Sequence, residues 1–164
     1  MRKTWLFLVV ALLLSAVVAA RRQSKTTKQI LSKSVVGQDR SHRWKVTAFE
    51  WKESRKGAVG DAWGAFSEIP NWAVGKLAID EAGVSVDVPR SVYADLTNVN
   101  RLTCRSSGKG CTISIEGGDA ASGYVAEVVV KNGKVDRRRV REGEFPENHW
   151  EQTTYVNTMD TLDN

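Results

Sequence analysis

The feature that most constrains the fold of this chain is the dipeptide Asn132-Gly133, which separates two runs of strand length. The runs cover residues 124–131 (YVAEVVVK) and 134–141 (KVDRRRVR), and both contain valines. Asn-Gly suits a two-residue type I′ turn, because both residues of that turn need a positive φ. The sequence therefore predicts a β-hairpin at residues 124–141.

From residue 44 onward, the rest of the chain repeats this pattern of short strand-like runs and turns. The runs are rich in valine, threonine and aromatic residues, which favour strands. They cover residues 44–52, 75–79, 84–89, 101–104 and 111–116. Only residues 145–152 (FPENHWEQ) have a helical pattern, with a proline that is allowed in a first turn. We therefore expect a mainly β domain: an antiparallel sheet built from hairpins, in a small barrel or sandwich, with one short C-terminal helix.

Residues 1–20 have the layout of a secretory signal peptide. Two basic residues precede an apolar run, and small residues lead to Ala20, as in the three regions of such signals. The alternative is an uncleaved anchor over residues 5–20, whose 16 residues are close to the roughly 17–25 that span a bilayer. The arginines at 21–22 would hold the downstream part inside if the segment inserted. We expect export, to the outside or the cell envelope, with membrane anchoring as the alternative.

The net charge of +5 is unevenly distributed along the chain. Residues 1–43 contain nine basic residues and one acidic residue, whereas residues 44–164 contain 15 basic and 18 acidic residues. The single domain expected over 44–164 is therefore mildly acidic, and no nucleic-acid partner is expected. Residues 21–43 have too few apolar side chains to pack, so we expect a basic, flexible leader. Membrane contact through residues 1–43 is left open, because anionic lipid attracts basic residues.

Two cysteines, Cys104 and Cys111, flank the polar loop RSSGKG. In an exported chain such a pair favours a disulfide. If the hairpin turns about Ser107-Gly108, the cysteines face each other with Cα atoms about 4.5–5.5 Å apart. A disulfide can bridge that separation. The sequence therefore predicts a Cys104–Cys111 disulfide, on the condition that the chain is exported.

The predicted 124–141 hairpin also contains a candidate anion-binding site. With a regular register about the Asn-Gly turn, Glu127 faces Arg138 as a pair of opposite charges. The other face then holds one tyrosine and three arginines: Tyr124, Arg137, Arg139 and Arg141. Arginine binds carboxylate and phosphate through paired hydrogen bonds, which makes these four residues the candidate site. The alternative is a solvated strand whose arginine stems cover apolar neighbours.

Tryptophan is frequent in the expected domain, which contains five of the six in the chain. An exposed tryptophan stacks on sugars or anchors a protein interface, whereas a buried one fills the core. Trp63 and Trp72 lie in an irregular segment and are the candidates for partner binding.

Residues that could carry catalysis are sparse. His42 and His149 are the only histidines, and no GxSxG nucleophile motif occurs. We expect no metal and no cofactor, because neither ligand spacings nor nucleotide-binding glycines are present. The sequence favours an exported, non-catalytic β domain that binds a partner protein or an envelope polymer. The alternatives are a secreted hydrolase that uses carboxylates, and an inhibitor or toxin-like factor that presents the hairpin at 101–116.

Overall fold

The computed structural model describes residues 32–52, 62–65, 72–118, 122–145, 147 and 149–156. Within these residues it contains nine β-strands and one turn of 3₁₀ helix at Arg90–Val92. The strands are β1 (Ser32–Gln38), β2 (Trp44–Trp51), β3 (Ala73–Glu81), β4 (Val84–Val86), β5 (Val99–Ser107), β6 (Gly110–Gly117), β7 (Tyr124–Lys131), β8 (Lys134–Glu142) and β9 (His149–Thr154). The prediction of a mainly β chain is confirmed.

The strands form two antiparallel sheets that follow the order of the chain. Strands β1–β4 make a four-stranded sheet and β5–β9 make a five-stranded sheet, with sequence neighbours paired throughout. Side chains from both sheets pack into one hydrophobic core. Strand β1 also lies beside β5, where an added Cβ on Gly37 would be only 2.5 Å from the carbonyl oxygen of Leu102. The absence of a side chain at Gly37 therefore allows the two sheets to approach closely along this side.

Alternation along each strand explains which side chains enter the core. In β2 the side chains of Trp44, Val46 and Ala48 are buried, and those between them are more exposed. The period of two places one apolar row on the inner face of the strand. Each fully buried valine or larger apolar side chain contributes about 1.5–3 kcal/mol relative to an exposed one. These rows therefore hold the two sheets together.

The buried carboxylate of Glu50, near the end of β2, has one partner in each sheet. The Glu50 carboxylate is fully buried, and its Oε2 lies 3.1 Å from the Lys33 ammonium of β1. Its Oε1 accepts a hydrogen bond of 2.9 Å from the backbone N–H of Val99 in β5. A carboxylate removed from water needs such partners, because burying an unpaired charge costs several kcal/mol. Lys33 and Val99 therefore supply the polar partners that make burial of the Glu50 side chain possible.

A β-bulge in β8 decides which of its four arginines enters the interior. The register between β7 and β8 shifts between Val129 and Val130, which leaves Asp136 as an extra residue without an opposite partner. Side chains alternate along a strand, so one extra residue reverses the faces of all later residues. As a result Arg138 points inward and is buried.

The buried guanidinium of Arg138 is held through its two terminal nitrogens. Its Nη2 donates to the two carboxylate oxygens of Asp95 at 2.9 and 2.8 Å. Its Nη1 donates to Glu151 Oε1 at 3.1 Å and to the carbonyl oxygen of Ser91 at 3.2 Å. Ser91 and Asp95 belong to the connection between the sheets, and Glu151 belongs to β9. One side chain therefore ties that connection to β8 and β9.

Two sequence predictions differ from the structure. Residues 149–154 of the predicted C-terminal helix form strand β9, because pairing with the free edge of β8 overrides a weak local preference for helix. Within the leader predicted at 21–43, residues 32–38 form strand β1. Pairing with β2 and the ion pair of Lys33 supply the stabilisation that the local composition does not.

The predicted signal peptide or anchor at 1–20, and the part of the leader at 21–31, lie outside the described residues. In the part of the chain that is described, no helix combines the length and the apolar character needed to cross a membrane.

Replacing Arg138 by methionine should lower the free energy of unfolding by about 3 kcal/mol, because Asp95 and Glu151 would lose their common partner. Urea unfolding of the two proteins measures the difference. Arg139→Met makes the same chemical change on the outward neighbour and should cost less than about 1 kcal/mol. An equal loss in both variants would contradict the role of the buried guanidinium.

Candidate functional site

The bulge in β8 separates the tyrosine from the arginines of the predicted anion site. Tyr124 is buried on the inner face of β7 and donates a hydrogen bond of 3.0 Å to the carbonyl oxygen of Thr97. Burial raises the pKa of its hydroxyl above the usual value. Arg137, Arg139 and Arg141 lie on the opposite, outer face. The structure therefore keeps the three arginines together but does not bring Tyr124 to them.

The three outward arginines form a half-buried row, and its central member, Arg139, has a hydrogen-bond partner in β9. Glu127 is opposite Arg139, so the predicted pair of Glu127 with Arg138 is wrong by one residue, again because of the bulge. The Nε of Arg139 donates a hydrogen bond of 2.7 Å to Gln152 Oε1 of β9. The central arginine of the row thus has a partner in β9 and a carboxylate opposite it in β7, which reduces its capacity for an external anion.

The two cysteines lie close together but are free thiols in the structure. The hairpin turns at Gly108-Lys109 instead of Ser107-Gly108, so the residue opposite Cys104 is Ile113. The predicted direct pairing is therefore wrong, and Cys104 and Cys111 are diagonal neighbours on one face. The Cys111 thiol donates a hydrogen bond to Cys104, which lowers the pKa of Cys104 and raises that of Cys111.

The two tryptophans predicted to bind a partner are both partly buried. Trp63 packs against the hydrophobic core, and its backbone forms a bridge with Leu96. Trp72 is half-buried, with the Lys33 ammonium 5.3 Å from the centroid of its ring. Trp63 therefore contributes to packing, and Trp72 lies beside the buried pair of Lys33 and Glu50.

A different set of side chains is exposed on the outer face of the four-stranded sheet. Phe49 and Trp51, two residues apart in β2, are each 40% exposed, and Val36 of β1 is 49% exposed. We call Val36, Phe49 and Trp51 the aromatic face. The sequence contained the signal for it: Trp44 and Trp51 are seven residues apart, so a regular strand places them on opposite faces. Once Trp44 is buried, Trp51 has to face outward.

The Trp51 ring lies against the backbone of β3 at Gly75. A Cβ added to Gly75 would be 1.6 Å from Cη2, 1.7 Å from Cζ2 and 2.2 Å from Cζ3 of the indole. Such short distances to three ring atoms mean that the ring covers Gly75 with one of its flat sides. The glycine therefore makes room for the ring and fixes it, while the residue stays 40% exposed.

Polar groups alternate with the apolar groups across the aromatic face. Each apolar side chain is opposite a hydroxyl-bearing residue on the neighbouring strand. The pairs are Ser32–Trp51, Ser34–Phe49 and Val36–Thr47. The Lys76 ammonium lies 6.0 Å from the centroid of the Phe49 ring, at the outer limit of a cation–π contact. Apolar and polar side chains are thus interspersed across the aromatic face.

An open groove of about 870 Å³ lies between the β1–β2 turn and β5. Its polar lining comes from both segments: Gln38 at the end of β1 with Asp39, Arg40 and Ser41 of the turn, and Arg101, Thr103, Arg105 and Ser106 of β5. We call it the arginine groove. None of these residues was selected from the sequence as a site residue, because they come together only when β1 is placed beside β5.

The Asp39 carboxylate organises one wall of the arginine groove. It accepts hydrogen bonds from the hydroxyls of Ser106 and Ser41 and from the backbone N–H of Trp44, the last at 3.0 Å. These hydrogen bonds, that of Ser106 first, hold the pKa of Asp39 well below its usual range because they stabilise the charged form. Asp39 therefore joins the turn to β5 as a permanent anion at neutral pH.

No metal-ligand set is evident in the described part of the chain: no three histidine, cysteine, aspartate or glutamate side chains there are grouped to hold an ion. Comparison with known proteins found no family model, no curated protein and no solved structure that matches the chain.

The substitution Asp39→Asn should remove a stabilisation that depends on pH. In the unfolded chain this carboxyl binds a proton below about pH 4, whereas its lowered pKa keeps it ionised in the folded protein. Its contribution is therefore complete above that pH and is lost as the pH falls through the folded pKa. Urea unfolding from neutral to acidic pH should show the wild type more stable than the variant at neutral pH, with a gap that narrows in acid. A gap independent of pH would contradict this account.

Proposed function

We propose that this protein is an exported, non-catalytic domain whose aromatic face binds a carbohydrate polymer of the cell envelope or its surroundings. The observation that carries the proposal is the Trp51 ring, fixed on Gly75 and still 40% exposed. The π face of an aromatic ring attracts the slightly positive C–H groups on the flat side of a sugar. A ring that is already fixed also loses little conformational entropy when the ligand binds.

The polar groups around the rings favour a sugar over a purely apolar partner. Ser32 and Ser34 are opposite Trp51 and Phe49, and their hydroxyls can exchange hydrogen bonds with sugar hydroxyls. An apolar partner would bury these hydroxyls without replacing their hydrogen bonds to water, which is unfavourable. Phe49 and Trp51 are separated by two residues of one strand, or about 7 Å. Two rings in a row suit an extended chain of sugars.

Binding is favoured over hydrolysis by the state of the buried carboxylates. Among the described residues these are Asp39 and Glu50. A glycoside hydrolase needs two carboxyl groups that flank the scissile bond, one of them able to donate a proton. Asp39 is held ionised by three hydrogen-bond donors, and Glu50 is enclosed with Lys33 and Val99. Neither is placed to transfer a proton to a bound sugar.

The proposal includes export and a disulfide between Cys104 and Cys111. Its support is the signal-like sequence at residues 1–20, together with the hydrogen-bonded contact of the two thiols. A disulfide donor of an oxidising compartment would take one hydrogen from each thiol, join the two sulfurs, and itself be reduced to two thiols. The bond would tie β5 to β6 beside the arginine groove. An inhibitor that presents this hairpin would use the same bond, but the turn at Gly108-Lys109 offers only a small contact surface.

Trp51→Ala should weaken polymer binding about fivefold or more, because loss of an aromatic stacking platform costs about 1–3 kcal/mol where bases stack on such rings. The measurement is co-sedimentation of the purified protein with insoluble peptidoglycan, chitin and cellulose. Gly75→Ala should have the same direction of effect, because a Cβ 1.6 Å from the indole forces the ring out of its position. Thermal unfolding and circular dichroism check that both variants stay folded.

Phe145→Ala is the matched control for this experiment, because Phe145 is 50% exposed in the connection between β8 and β9, away from the aromatic face. It should leave binding unchanged. The proposal is overturned if the wild type sediments with none of the three polymers, or if the control variant loses as much binding as Trp51→Ala. Binding of a protein partner alone, lost in Trp51→Ala, would replace the polymer by a protein as the ligand of this face.

The intact mass of the protein from its native host tests export and the disulfide together. We expect a chain that begins near residue 21, because the small residues before Arg21 fit a cleavage site. On treatment with a reductant the mass should rise by two hydrogen atoms, as the disulfide opens. A full-length chain in the membrane fraction would instead support the anchor, and a mass unchanged by reductant would exclude the disulfide.

A further inference from the structure

The arginine groove carries a concentration of positive charge that the fold does not neutralise. Among the described residues, three arginines line it, and Asp39 is the only carboxylate in the lining. Asp39 accepts its hydrogen bonds from Ser41, Ser106 and a backbone N–H instead of from a guanidinium. The lining therefore has a net positive charge, within a domain whose sequence from residue 44 onward is mildly acidic.

The guanidinium groups of the groove are available to a ligand. Arg40 and Arg105 are exposed, and among the described residues neither has an ion pair or hydrogen bond through its side chain. Arg101 is 67% exposed and has only a loose contact of 3.7 Å with Glu116, itself 40% exposed. A contact of that length between exposed groups contributes little to stability. All three arginines can therefore turn toward a bound anion without breaking a strong interaction.

The polar groups that line the groove indicate the chemical class of ligand that it can bind. The hydroxyls of Ser41 and Ser106 donate their protons to Asp39, so they cannot also donate them to a ligand. The charged donors left in the groove are the guanidiniums of Arg40, Arg101 and Arg105, beside the neutral amide of Gln38 and hydroxyl of Thr103. Each guanidinium presents a planar fork that binds phosphate or carboxylate through two hydrogen bonds. A volume of about 870 Å³ is large for one small anion and accommodates several charged groups.

We propose that the arginine groove binds an oligoanion, a chain that carries repeated phosphate or carboxylate groups. This site is separate from the Trp51 ring that carries the proposed sugar binding: Gln38 is at the groove end of β1, and Ser32, opposite Trp51, is at the other end. Seven residues of strand place the two ends about 20 Å apart. Loss of either site would therefore leave the other intact, and the anion site does not depend on the proposed sugar-binding function.

A nucleic acid is the less favoured oligoanion. Proteins that bind single strands combine positive charge with aromatic side chains on which the bases stack. The lining of the groove contains no aromatic residue among the described residues that form it. The groove is therefore suited to an anionic chain without bases, such as a polyphosphate or a carboxylated sugar chain.

Titration calorimetry on the full chain tests the proposal with three probes: tripolyphosphate, an oligogalacturonate and an oligothymidylate. We expect tripolyphosphate or the oligogalacturonate to bind, with an affinity that falls as salt is added. The double variant Arg40→Gln/Arg105→Gln should weaken that binding at least tenfold. Binding of tripolyphosphate alone assigns the phosphate source, and binding of the oligogalacturonate alone assigns the carboxylate source. Trp51→Ala should bind these two probes as the wild type does.

The matched control is Arg137→Gln/Arg139→Gln, which removes the same charge from the outer row of β8. An equal loss in both double variants would mean that net charge, and not the groove, determines binding, and would overturn the proposal. So would tighter binding of the oligothymidylate than of the other probes, or no binding of any probe at low salt. Circular dichroism of both variants confirms that the measured protein is folded.

Discussion

A buried guanidinium determines how the second half of this structure is assembled. Arg138 is inside the protein, where an isolated charge would cost several kcal/mol. Asp95, Glu151 and the carbonyl oxygen of Ser91 have to surround it, so the chain segments that carry them cannot lie anywhere else. The position of β9 and the path of the connection between the two sheets both follow from this requirement. In the other sheet, the buried side chain of Glu50 likewise requires nearby partners, which are the Lys33 ammonium and the backbone N–H of Val99.

The one extra residue in β8 makes this arrangement possible and has a second effect. Without the bulge at Asp136, Arg138 would point to solvent and its neighbours to the core. Three arginines cannot be buried without a large set of acceptors, whereas one can. The bulge therefore selects the arginine for which acceptors exist and turns the rest of the row outward. One extra residue in β8 thus places Arg138 in the interior, where it stabilises the fold, and leaves the other three arginines of the strand on the outer face.

Local signals in the sequence predicted those parts of the fold that depend on local interactions. The Asn132-Gly133 turn is found as expected, with φ of 49° and 74°, because a type I′ turn is determined by the two residues in it. The bulge, the shift of the Cys104 hairpin and strand β9 depend on partners distant in sequence. The same distinction applies to the surfaces. Trp51 could have been placed outside by its parity with Trp44, but the arginine groove exists only because β1 lies against β5.

The pairing of Ser32 with Trp51 has a mechanical consequence. Suppose that the N-terminal run holds the domain at a membrane while Trp51 holds a polymer. The pulling force then acts on Ser32 of β1 and on Trp51 of β2, which are paired at the same end of the β1–β2 ladder. Force applied in this way peels two strands apart pair by pair, which is the direction in which hydrogen-bonded strands resist least. The next pair along the ladder is Lys33 with Glu50, joined by the buried ion pair. An ion pair between the two strands is thus located where tearing would have to begin.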